Sequence, residues 1–158
     1  MAIRLRQPTQ PDLIQRKLFS VHFHAYASAE YLKRAGTPRS TEELDVHRII
    51  QLGGSTVPIY LQNRNWLTEV GRNGKGARQP AFLINNVLGL LRACQRGLGI
   101  ALLPDYLVEE NIGLVQLFGE EEGPALDAFF VYPEELKSVA RVQAFRDFLV
   151  SNAQRWSF

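Results

Sequence analysis

Apolar and polar positions alternate along this chain in a way that changes period several times. Ala81–Ile84 is a short apolar run that ends in Asn85 and Asn86. From there the spacing switches to that of a helix: Val87, Leu90, Leu91 and Cys94 fall at i, i+3, i+4 and i+7, one apolar stripe. Asn86 stands at the N-cap position, Arg92 and Arg96 lie in the last turns where cations favour the dipole, and Gly97 offers a left-handed stop. A second apolar run, Gly99–Leu103, ends at Pro104. Strand, helix over Val87–Arg96 and strand within Phe82–Leu107 predict a βαβ unit of a parallel sheet. Ligands of such sheets sit beyond the carboxyl ends of the strands, beside helix N-termini, and Asn85 and Asn86 occupy that place.

The rest of the chain reads around this unit. Ala2–Leu5 predicts a short strand, and Pro8–Leu13 a loop, because two prolines interrupt a ladder. Leu18–Tyr26 alternates with period two: Phe19, Val21, Phe23 and Ala25 share one face, and Ser20, His22 and His24 the other. Ser28 is placed to cap a helix over Ala29–Ala35, closed by Gly36. Ser40 with Glu43 reads as a capping box for a helix over Thr41–Val46. Arg48–Leu52 predicts a strand running into Gly53, Gly54 and Ser55. Ile59–Leu61 and Trp66–Val70 are candidate strands, with Gly71–Gly76 a loop between strands. A helical turn over Asp105–Glu110 and strands over Ile112–Leu117 and Leu126–Tyr132 follow, with an acidic loop at Gly119–Gly123. The closing helix runs from Ser138 to Gln154, with Val139, Val142, Phe145, Phe148 and Leu149 as its buried stripe.

Composition narrows the function classes. The 158 residues, 46% hydrophobic and 22% charged, suit one domain or two small lobes. A net charge of +2, carried by scattered arginines and lysines, does not by itself mark a nucleic-acid surface. The single Cys94 permits no intrachain disulfide and favours a reducing compartment. MAIRLRQPTQ has no apolar secretion-signal core, and no apolar run reaches the length of a membrane span. The expectation is a cytoplasmic, soluble protein without a membrane partner.

Candidate chemistry is sparse. Asn85 and Asn86 either offer an anion the free N–H groups of a helix start or simply cap and turn. Gly53, Gly54 and Ser55 could expose backbone N–H groups, but they match neither phosphate-loop pattern, and a tight turn is the favoured reading. His22 and His24 lack cysteine or acidic partners at metal-ligand spacing, so no metal is expected. Cys94 lies on the buried stripe as a core residue; flanking Arg92 and Arg96 leave open a thiol sensor. Arg4 and Arg6 could reach an anionic ligand or simply face solvent. No GxSxG, HExxH or cysteine–histidine pairing supports an enzyme.

In this order the segments resemble the effector-binding domain of LysR-type transcriptional regulators. AIRL, HAYASAEYLKRAGTP, ELDVHRII, GLGIALLPDYLVEE and LDAFFVYPEELKSVARVQAFRDFLV each resemble family segments, in family order and over nearly the whole chain. The resemblance implies a periplasmic-binding-protein-like α/β fold, two lobes joined by crossover strands. Residues 1–20 and 126–158 would be a remnant of an incomplete first lobe, and residues 21–125 the second lobe. It implies a small polar or carboxylate effector in the inter-lobe cleft, no cofactor, and a homo-oligomer, dimer or tetramer. DNA would be reached only through a helix-turn-helix domain that this chain does not contain. By position, the family's effector site maps onto Arg6, Gln7, Tyr26, Ser28, Gly53, Gly54, Asn85 and Asn86. The alternatives are a transport-type solute-binding protein and a redox-sensing regulator acting through Cys94.

Overall fold

The longest element is a strand, β2 (Leu13–Ser28), and the chain is arranged on its two ends. A computed structural model describes residues 1–54, 66–108, 113–119, 123–153 and 155. Contacts divide it into two units, one of Met1–His22 with Ala125–Phe158, the other of Phe23–Pro124. The expected strand at Ile59–Leu61 lies outside the described residues.

In the first unit, β1 (Ala2–Arg4) pairs antiparallel with β7 (Ala125–Pro133), which pairs antiparallel with the first part of β2. β2 starts at Leu13, five residues before the alternation does, and the pairing slips between Lys17 and Phe19. That bulge hides the period-two pattern of the strand's beginning. The closing helix, α4 (Ala140–Ala153), packs with Phe130, Tyr132, Val142 and Leu149 as the core. The expected stripe is corrected here: Phe145 is 42% and Phe148 61% exposed, whereas Val142, Leu149 and Ala153 are buried. At 3.6 residues per turn, Phe148 points about 120° away from Val142, while Leu149 and Ala153 fall back within about 20° of it. Phe145 keeps an edge contact with Phe130, ring centroids 5.7 Å apart.

In the second unit, the last part of β2 pairs antiparallel with β5 (Ile100–Pro104) and with β6 (Leu114–Leu117). β3 (Ile49–Leu52) pairs parallel with both β5 and β4 (Phe82–Ile84). The predicted βαβ unit is present as β4, α3 (Val87–Gln95) and β5, but β3 stands between its two strands. α3 ends as its sequence predicts, with Gly97 at φ +70° just beyond the cap, a conformation that costs a side-chain-bearing residue energy.

One core cluster of this unit gathers Tyr31, Leu32, Leu44, Ile49, Leu67 and Ile100. The other gathers Tyr26, Ile50, Leu90, Leu91, Cys94 and Leu103. α1 (Ala29–Ala35) is capped by Ser28, whose hydroxyl accepts the Tyr31 N–H at 3.1 Å. Two expectations fail nearby. Trp66–Val70 is not a strand; Trp66–Glu69 forms a short helix, α2, with Leu67 and Thr68 buried. Glu42–Val46 is a 3-10 turn, and its N-cap Thr41 makes no capping hydrogen bond with its side chain. In that tighter winding the Glu43 carboxylate accepts from the Arg39 N–H (2.8 Å) instead of closing a capping box on Ser40.

Candidate functional site

β3 and β4 run in register, Leu52 beside Ile84, so both end at one level. Gly53–Gly54 and Asn85–Asn86 therefore leave the sheet side by side. The Gly53 N–H donates to the Ile84 carbonyl at 2.9 Å, which zips the two ends together. Gly53 is buried, and a side chain there would meet Leu83 Cδ2 at 2.9 Å. Gly54 is exposed at φ +113°, and a methyl on it would lie 3.6 Å from Asn85 Cβ. Only glycine adopts that backbone freely, so the chain passes Asn85 closely without a side chain between them.

Asn86 begins α3. Its Oδ1 accepts the Gly89 N–H at 2.7 Å, and its Nδ2 donates to Asn85 Oδ1 at 3.2 Å. The N–H groups of Val87 and Leu88, like those at the start of any helix, have no helical carbonyl to reach. Asn85, Asn86 and Gly54 are exposed, so this corner presents amide donors and the positive end of a nine-residue helix. Of the eight residues picked out from sequence, these four are brought together. Tyr26 and Ser28 are buried in β2, with the Tyr26 hydroxyl donating to Asp105 (2.9 Å) and Ser28 occupied as the α1 cap. Arg6 and Gln7 are exposed residues of the first unit, beyond β1.

Two polar clusters escaped the sequence. Asp105 accepts from His24 Nδ1, at 2.8 and 2.9 Å to its two oxygens, and from Tyr26. The acidic partner of His24 lies 81 residues away and is delivered by the β2–β5 register, His24 beside Leu103. The Arg78 side chain is 6% exposed and donates to Asp45 (2.6 Å) and to the carbonyls of Thr41, Leu67 and Val70. A lone arginine after a glycine-rich loop carries no signal of such burial. Hydrogen bonds from Arg72 and Arg78 hold the Asp45 carboxyl below the usual carboxylate range. Among the described residues, no group of three histidine, cysteine or acidic side chains is placed to hold a metal ion.

Cys94 is fully buried, donates to the Tyr26 carbonyl at 3.2 Å, and burial pushes its thiol up to about 12. Roughly one molecule in 10⁵ would carry the reactive thiolate at neutral pH. The feature that a sensing thiol needs, an accessible and stabilised thiolate, is missing.

The comparisons with known proteins agree with this architecture. The family model for the LysR substrate binding domain matches residues 1–154. Among relatives, the HTH-type transcriptional regulator CrgA of Neisseria meningitidis serogroup B is 32% identical over 154 residues, 95% of this chain and 50% of the relative. An uncharacterized HTH-type transcriptional regulator of Haemophilus influenzae is 26% identical over 137 residues, 84% of this chain and 46% of its own length. The solved CrgA regulatory domain superposes with a TM-score of 0.74 at 31% identity, over 96% of this chain and 74% of that one. Full-length AphB of Vibrio cholerae, at 23% identity and TM-score 0.72, shares the fold over 94% of this chain and 50% of its own.

The fold and the match together define a regulatory domain of the two-lobe, periplasmic-binding-protein-like class. The chain belongs to the LysR substrate-binding domain family, a family of transcription regulators and not of enzymes. It spans about half the length of the curated relatives that it matches. No helix among the described residues is long and apolar enough to cross a membrane.

Proposed function

We propose that this chain is the effector-sensing part of a bacterial LysR-type regulator, and that its effector is a small polar molecule, most simply a carboxylate. The observation that carries this reading is the corner where Gly53–Gly54 and Asn85–Asn86 emerge together at the carboxyl ends of two parallel strands. There the start of α3 offers N–H groups and partial positive charge to an anion, while Gly54 lets the ligand approach the backbone. Arg6, Gln7, Tyr26 and Ser28 remain candidates from the family pattern alone. An effector bound here regulates by favouring one of two pre-existing arrangements of a homo-oligomer, to the extent that it binds that arrangement more tightly. Nucleic-acid contact belongs to whatever else the whole protein contains.

Asn86→Asp separates capping from binding. Aspartate caps a helix as well as asparagine does, so thermal stability should stay within about 0.5 kcal/mol of the parent. The added charge repels an anion, so calorimetric affinity for any carboxylate that binds the parent should fall at least about tenfold. Unchanged affinity would remove the α3 start from the effector site.

A further inference from the structure

Next to the Asn85–Asn86 corner, the second unit contains a cavity of about 40 Å³. The buried Ile50, Leu67 and Leu90 line it together with the half-buried Phe23, Val87 and Leu102. Leu67 belongs to one core cluster of the unit, Ile50 and Leu90 to the other, so the cavity lies where neither cluster closes over the end of the sheet. Among the described lining residues only Gln51 is polar. Water held in a cavity needs two to four polar partners, and the described lining side chains offer one. An apolar group suits it better.

Position and size restrict that group further. The lining includes Leu52 and Val87, which stand one residue before Gly53 and one residue after Asn86. A molecule whose anionic end is held at the corner can thus extend its carbon chain into the cavity. A volume of about 40 Å³ takes about three water-sized groups, whereas benzene fills an engineered cavity of roughly 150 Å³. An aromatic ring or a long chain exceeds that volume.

We infer that the effector is a short-chain aliphatic carboxylate whose two to four carbons beyond the carboxyl fill this cavity. The inference rests on the effector site proposed above and adds to it the chemical class of the ligand. Its test is a calorimetric series of straight-chain acids, acetate to octanoate, with succinate as a polar diacid, on the 158-residue chain. Affinity should rise about fourfold per methylene while the chain still finds room, and level or fall beyond pentanoate. Leu102→Phe, which fills the cavity, should move the optimum to a shorter acid, and Leu102→Ala to a longer one. Should the phenylalanine variant fail to fold, Val87→Ile makes the same cavity smaller by one methylene and should shorten the optimum likewise. Affinity independent of chain length, an optimum that none of the variants moves, or no binding by any member of the series overturns the inference. Succinate binding that is lost in Asn86→Asp, together with a flat series, retains the corner and removes only the apolar group. Acids that bind with equal affinity to the parent and to Asn86→Asp remove the corner itself.

Discussion

The Tyr31 hydroxyl is used twice. It accepts the Arg48 N–H at 2.9 Å and shares a hydrogen bond with His47 Nδ1 at 3.1 Å. Burial pushes the His47 pKa below its ordinary value. A base whose pKa is lowered on folding binds protons more readily when unfolded. The stability that His47 contributes is therefore complete above the unfolded histidine value of about 6.5 and declines as pH falls below it. Urea unfolding between pH 8 and 5 should show the parent losing stability toward acid relative to His47→Gln. Parallel pH profiles for the two proteins would show that His47 titrates no differently folded than unfolded.

Legibility in the sequence was also uneven residue by residue. Asn86, Ser28 and Gly97 act locally, each bonding or turning within a few positions of itself, and their roles follow from neighbouring letters. Asp105 and Arg78 act across 81 and 33 positions, to His24 and to Asp45, and no local pattern encodes such a meeting.

Among the elements, α3 was readable because nine residues carry cap, stripe and stop in one direction. The four-residue α2 was not. A stretch such as Trp66–Glu69 has too few positions to distinguish period two from period 3.6, and its aromatic and β-branched residues suggest a strand. What holds α2 is tertiary: Arg78 bonds the carbonyls of Leu67 and Val70 at its end and the Thr41 carbonyl of the neighbouring turn. Removing that guanidinium strands buried carbonyls, a loss that removal of the largely solvated Asp45 does not entail. Arg78→Met should lower unfolding free energy by about 3 kcal/mol in denaturant titration, given about 1–3 kcal/mol for each unsatisfied buried group and partial relaxation. Asp45→Asn should cost clearly less. Equal losses would place the energy in the ion pair and not in the carbonyl bonds.

At the scale of the whole chain, one match governs what should and should not be found. Residues 1–154 of 158 are accounted for by the substrate-binding model, which leaves four for anything else. The relatives whose names record transcription regulation are about twice as long as the stretch they share with it. Sequence-specific DNA reading requires an element set in a groove with side chains on base edges, whereas the described sheets and helices of each unit pack into its own core clusters. The charge gives little attraction at a distance: +2 over the chain, with 18 Lys and Arg against 16 Asp and Glu. Fluorescence anisotropy of a labelled duplex with the 158-residue chain should therefore show, at most, weak binding at 50 mM salt. For two phosphate contacts that binding should fall about tenfold by 200 mM, with no preference among sequences. A saturable complex at about 150 mM salt that distinguishes one duplex from another would mean that these residues themselves read DNA. Sensing and reading would then lie in the same residues.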